Sequence, residues 1–121
     1  MKNKFDNFII SKDQKIIEAI KLITINKNRA VLIRDNQTIC GVLSEGDIIK
    51  ALLKNKSLYS PISKIMNKSF KYLTKYNLDD AIMFFKRFGI TIIPILNSKM
   101  KLKDIIKLSD ILKNDILKKN Q

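Results

Sequence analysis

The sequence predicts an α+β fold, two tandem β-α-β-β-α repeats packed about a pseudo-twofold axis. Self-similarity is the first reason: "KIIEAIKLI" at 15–23 resembles "NLDDAIMFF" at 77–85, and "AVLIRD" at 30–35 falls on "IIPILN" at 92–97, both at an offset of 62. The second reason is a further block in the same order, "GVLSEGDIIK" at 41–50 falling on "DIIKLSDILK" at 104–113 at an offset of 63. The third is that each copy alternates short β-branched runs with apolar residues at helical spacing. A unit of about sixty residues is marginal by itself, so two copies sharing one core is the economical arrangement. The repeats divide the chain into residues 1–60 and 61–121.

The elements follow in order. Phe8–Ile10 reads as a short strand, and the polar cluster Ser11-Lys12-Asp13 is able to start a helix. Ile16, Ile17, Ala19, Ile20 and Ile23 mark one face of that helix through about Ile25. Ala30–Ile33 and Thr38–Leu43 are strands joined by the turn residues Asp35-Asn36-Gln37. Asp47–Lys54 closes the first copy as a helix with Ile48, Ala51 and Leu52 as its buried stripe. Asn55–Ser60 is a polar linker, and Pro61 opens the apolar turn "PISKIM". The second copy repeats the order at Phe70–Leu73, Leu78–Phe88, Ile92–Leu96, Lys103–Lys107 and Ser109–Lys118.

Composition narrows the function classes. A hydrophobic fraction of 45% with 29% charged residues is ordinary for a folded soluble domain. No apolar run approaches the roughly 18 residues of a membrane span, and the N-terminus lacks a signal-peptide pattern, so a cytoplasmic protein without membrane contact is expected. A lone Cys40 and the absence of His exclude disulfide and zinc frameworks, and no metal site is expected. The net charge of +13 comes from scattered lysines with only three arginines, Arg29, Arg34 and Arg87. Base readout favours Arg and single-strand binding interleaves aromatics, so nucleic acid is not the expected partner. No catalytic residues are assigned: His is absent and no paired carboxylates stand in a recognisable setting.

The stretch "GVLSEGDIIKALLK" at 41–54 carries the chemistry. Ser44 and Asp47, three apart before an apolar run, form a capping-box pattern that needs no ligand. The same geometry also suits a nucleotide. Free N–H groups and a partial positive charge at the helix N-terminus suit phosphate, a hydroxyl adds a hydrogen bond, and a carboxylate one turn in accepts from a ribose diol. Gly41 and Gly46 relieve the backbone on either side. Both alternatives stand on the residues alone.

"GVLSEGD" resembles the glycine–two apolar–Ser/Thr–x–x–Asp motif of the CBS domain, the β-α-β-β-α unit found in tandem as a Bateman module. "IIEAI", "LDDAI" and "IIPIL" extend the resemblance over nearly the whole chain. It implies a regulatory role rather than catalysis, with an adenosine compound (AMP, ADP, ATP or S-adenosylmethionine) as regulatory ligand in an inter-repeat cleft and no required cofactor. Carried over by position, Ser44 would face phosphate and Asp47 the ribose, while Ile9, Ile10, Arg29, Ala30 and Val31 would frame the base. Lys50 is a candidate for a phosphate contact, against the plainer reading of a solvated lysine. The second copy is degenerate: Asp104 replaces the glycine and Lys107 the hydroxyl, leaving only Asp110 in place, so one competent site is expected.

The resemblance further implies a homodimer. "SEGDIIKALLKNKSLYSPISKIMNKSF" is similar to the CBS pair that precedes bacterial sugar-phosphate nucleotidyltransferases. That enzyme would have to follow Gln121, so the chain is expected to be either a piece of a longer protein or a free-standing module controlling an associated enzyme. The alternative is a structural or oligomerisation module with no ligand, pairing through apolar helix faces such as Ile105–Leu117.

Overall fold

The computed structural model describes the backbone of residues 4–119 and the side chains of residues 4–113. The first repeat folds as β1 (Ile9–Ser11), α1 (Ile16–Asn26), β2 (Ala30–Asp35), β3 (Thr38–Ser44) and α2 (Glu45–Leu53). β1 runs parallel to β2, with Ile9 opposite Leu32, and β3 returns antiparallel, with Ala30 opposite Ser44. The turn between β2 and β3 is made by Asn36 at φ 55°, a left-handed conformation that Asn tolerates better than most residues. The core of this unit is wholly apolar: Ile10, Ile16, Ala19, Ile23, Val31, Ile33, Leu43, Ile48 and Ile62. α2 buries Ile48 and Ala51, but Leu52, expected on the same stripe, is exposed in the last turn of the helix.

α1 buries Ile16, Ala19 and Ile23, the spacing that places one stripe on one face. Its start differs from expectation. No side chain caps it, and Ser11 Oγ instead accepts the N–H of Asp13 at 3.3 Å in the preceding turn. The free N–H groups of Ile16 and Ile17 donate to the carbonyls of Ser60 and Leu58, both at 3.0 Å. A helix end needs partners for those groups, and here they come from about forty residues further along the chain.

The second repeat folds as α3 (Leu78–Phe88), β4 (Ile92–Leu96), β5 (Leu102–Lys107) and α4 (Leu108–Lys119). Asn77 caps α3 by accepting the N–H of Asp80 at 3.0 Å, and Gly89 at φ 64° ends it. The strand expected at Phe70–Leu73 shrinks to one residue. Leu73 bridges Ile95 in parallel, donating to Pro94 O at 3.0 Å and accepting from Leu96 N–H at 2.9 Å. The core here is Leu73, Ala81, Phe85, Ile93, Ile95 and Ile106.

Packing divides the chain into residues Met1–Phe70 and Lys71–Gln121, ten residues later than the repeat boundary read from the sequence. The reason is a strap, residues 61–70, that belongs by packing to the first unit. Ile62 is fully buried in that unit's core, and its N–H donates to Gln14 O at 2.8 Å. Further on, Asn67 exchanges both backbone hydrogen bonds with Val42 of β3, at 2.8 and 3.0 Å.

Candidate functional site

Ser44 ends β3 and is the N-cap of α2, and the pair with Asp47 is reciprocal. Asp47 N–H donates to Ser44 Oγ at 3.2 Å, and Ser44 N–H donates to Asp47 Oδ2 at 3.0 Å. The capping box read from the sequence is therefore present, and it contributes about 1 kcal/mol. It leaves chemistry to spare. A hydroxyl that accepts one bond still has a proton to donate, and a carboxylate with one oxygen engaged has a second acceptor. Both side chains are half-buried, so they are held in place and reachable from solvent.

The loop before β2 sets what stands beside them. Asn26 ties it together, its Nδ2 donating to Ala30 O at 3.1 Å and to Asn7 O at 2.9 Å while its Oδ1 accepts the N–H of Asn28 at 2.7 Å. Lys27 and Arg29 both take left-handed backbone conformations, φ 58° and 69°, which this knot of side-chain bonds stabilises. Arg29 O then accepts the N–H of Glu45 at 3.0 Å, and Arg29 Nε donates to Glu45 Oε2 at 3.3 Å. Glu45 was not among the sequence candidates. It sits inside the motif, but its link to Arg29 depends on β2 and β3 bringing the two together.

Of the residues expected to bind a ligand, Arg29, Ala30, Ser44 and Asp47 are gathered at the N-terminal end of α2, Ala30 directly opposite Ser44. Ile9 is half-buried two places along, opposite Leu32. Ile10 and Val31 depart from expectation: both side chains lie in the unit's own core, which leaves only their backbone for framing a base. Lys50 is exposed in the second turn of α2. Asp110 belongs to the second unit, where Lys107 Nζ pairs with its Oδ2 at 3.5 Å.

The two glycines of the motif differ in necessity. A Cβ on Gly41 would lie 2.8 Å from Met66 Sδ and 3.3 Å from Asn67 O, so this glycine admits the strap. A Cβ on Gly46 would meet only Ser44 Oγ at 3.7 Å, an ordinary contact, and its φ is not left-handed. The expectation that Gly46 relieves the backbone is therefore corrected. In the second copy Asp104 takes the place of Gly41 and is exposed, and its Oδ1 accepts the N–H of Ile105 at 2.8 Å. Ile105 corresponds to Val42, whose N–H goes to the strap instead.

Elsewhere on the first unit, Lys12 Nζ and Asp35 Oδ2 pair at 3.1 Å, and that hydrogen bond raises the lysine's pKa. Burial pushes the Cys40 thiol up from its ordinary value, favouring its protonated form. Among the described residues no group of His, Cys, Asp and Glu is placed to hold a metal ion, and no helix is long and apolar enough to cross a membrane.

Comparison with known proteins bears on this site. Residues 4–54 match the model of the CBS domain. An uncharacterized protein of Helicobacter pylori strain J99 is 35% identical over 86 residues, covering 69% of this chain but 26% of its own length. The chain thus spans about a quarter of that relative. Among solved structures, the CBS domain pair of protein MJ0100, in complex with 5′-methylthioadenosine and S-adenosyl-L-methionine, superposes with a TM-score of 0.75 at 21% identity, over 89% of this chain and 90% of that one. CBS domain protein PAE2072 from Pyrobaculum aerophilum, complexed with AMP, superposes with a TM-score of 0.71 at 20% identity, over 84% and 80%. Residues 4–54 are thus similar to a CBS domain, and the chain as a whole has the α+β fold of a CBS-domain pair with two β-α-β-β-α repeats.

Proposed function

We propose that this protein is a regulatory module that binds an adenosine compound at the first unit's Ser44–Asp47 motif and controls an attached or associated enzyme. The observation that carries the reading is the cap itself, which positions a hydroxyl proton and a spare carboxylate oxygen at the N-terminal end of α2 within a stretch similar to a CBS domain. Two proteins of the same fold hold AMP in one case and 5′-methylthioadenosine with S-adenosylmethionine in the other, which supports adenosine as the shared part of the ligand. Ser44 Oγ would donate to the 5′ substituent and Asp47 Oδ1 would accept from the ribose diol. The backbone of Ala30 and Val31, with Ile9 on the neighbouring strand, would frame the base. The second motif, with Lys107 paired to Asp110, does not offer the same groups.

Asp47→Asn tests this without dismantling the cap, because an amide oxygen can still accept the Ser44 N–H while the remaining position becomes a donor. Titration calorimetry with AMP, ADP, ATP and S-adenosylmethionine, with CMP and GDP as controls, should give binding by the intact chain that Asp47→Asn abolishes. Undiminished binding by the variant would remove Asp47 from the site. The controlled enzyme is proposed to be a sugar-phosphate nucleotidyltransferase on the strength of the 44–70 stretch alone, and co-purification with such an enzyme would test it.

A second reading, assembly without a ligand, draws on exposed apolar residues. Ile49, Leu52 and Leu53 lie along α2, with Leu53 79% exposed, a face suited to a second copy of the chain. The face named from the sequence, Ile105–Leu117, is less suited. Ile105 is buried, Leu108 and Ile111 pack on their own unit's core, and Leu117 lies outside the described side chains. A dimer indifferent to every adenosine compound would favour this reading.

A further inference from the structure

Resting on the adenosine reading above, we infer that the Arg29–Glu45 ion pair makes the first unit's site select adenosine compounds that are neutral or sulfonium at the 5′ position over 5′-phosphates. The charges at the start of α2 decide this. Glu45 and Asp47 place two carboxylates in the first turn, and Arg29 supplies one cation, already engaged with Glu45 at 3.3 Å. The three sum to one net negative charge, against which the helix N-terminus offsets about half a positive charge, and the nearest cation of α2 itself, the exposed Lys50, stands a turn further along. A phosphate monoester brings between one and two further negative charges to the same place.

Phosphate can gain the Arg29 guanidinium only if Glu45 gives it up. The pair itself is weak, with 70% and 47% of the two side chains exposed, and breaking it costs little. The cost lies in what is left behind: a freed carboxylate next to the incoming phosphate. The backbone of Glu45 is held there by its N–H bond to Arg29 O at 3.0 Å, so the carboxylate can move away only by rotation of its own side chain. A thioether at the 5′ position provokes no such conflict, and a sulfonium is attracted by both carboxylates. In the second unit the matching positions hold Thr91 and Leu108, which keep the backbone bond at 2.9 Å but carry no charge, so this selector belongs to the first unit.

The test is calorimetric titration of the full chain with AMP, 5′-methylthioadenosine and S-adenosylmethionine, using the wild type, Glu45→Gln and Arg29→Gln. Both substituted residues are exposed, so folding is not at stake. The wild type should bind both thio compounds more tightly than AMP, and raising salt should narrow the gap by screening. Glu45→Gln should raise AMP affinity by roughly three- to tenfold, the effect of removing one like charge at the surface, while leaving 5′-methylthioadenosine within twofold. Arg29→Gln should weaken AMP further. A wild type that prefers AMP, or an AMP-to-thioadenosine ratio that Glu45→Gln does not move, overturns the inference. Silence from all three compounds would instead remove the adenosine reading itself.

Discussion

Lys107 and Asp110 form an ion pair at 3.5 Å in the positions where the first unit has the reciprocal hydrogen bonds of Ser44 and Asp47. Both arrangements tie the last residue of a strand to the first turn of the following helix. They differ in what remains for a ligand. The first unit keeps a small hydroxyl and a spare carboxylate oxygen beside backbone N–H groups, whereas the second has a lysine in place of the hydroxyl, with its ammonium on the carboxylate. The two units thus share a structural joint and differ in its chemistry.

Stability should report that difference. Ser44→Ala removes a cap bond to a half-buried N–H and should cost about 1 kcal/mol, lowering Tm by several degrees. Lys107→Ala breaks a surface pair and should cost no more than about 0.5 kcal/mol. Equal losses in thermal unfolding would mean that the box is not the stronger joint.

The two motif glycines should respond in opposite directions. Gly41→Ala drives a methyl against Met66 and towards the Asn67 carbonyl, and should destabilise by about 1–3 kcal/mol. Gly46→Ala, in the first turn of a helix with room for the methyl, should stabilise by up to about 1 kcal/mol. Chemical denaturation of the two variants checks both signs, and a stabilised Gly41→Ala would contradict the close approach of the strap.

Ile62 is fully buried although it lies beyond the first sequence repeat. Ile62→Ala should cost about 2–5 kcal/mol, the usual range for truncating a core residue. Hydrogen exchange should show the loss concentrated in residues 4–70. A loss confined to the second unit would be incompatible with its place in the core.

The Cys40 thiol, pushed up by burial, gives a pH dependence with a definite sign. A thiol that holds its proton more tightly when folded binds more protons in the native state than in the unfolded one. Stability should therefore fall as pH rises through the unfolded thiol's ordinary value of about 8.5 and beyond. Lys12, raised chiefly by its hydrogen bond to Asp35, acts in the same direction at higher pH. Alkylation of Cys40 by iodoacetamide should stay slow at neutral pH and accelerate above that range. Rapid labelling at pH 7 would contradict the burial effect.

Much of this fold was legible because the signals were local. α3 and β4 have the bounds expected from periodicity, Leu78–Phe88 and Ile92–Leu96, since apolar spacing and a flanking glycine need nothing distant. The Ser44–Asp47 box was legible for the same reason. What was hidden depends on long-range partners. α1 begins at Ile16 because carbonyls of Leu58 and Ser60 receive its N–H groups, so the earlier polar cluster at Ser11–Asp13 was the wrong start signal. The strand expected at Phe70–Leu73 is reduced to Leu73 because only that residue meets β4. Glu45 escaped notice because its partner Arg29 is sixteen positions away in sequence.

The strap from 61 to 70 has a consequence for how such a chain can be cut or shuffled. A fragment ended at Ser60, where the self-similarity suggests a boundary, would lose Ile62 from its core and bare the Val42 edge of β3. One ended at Phe70 would carry both with it. The boundary read from self-similarity and the boundary set by packing therefore differ by about ten residues, and a cloning scheme that respects only the former would sever the piece that finishes the first unit.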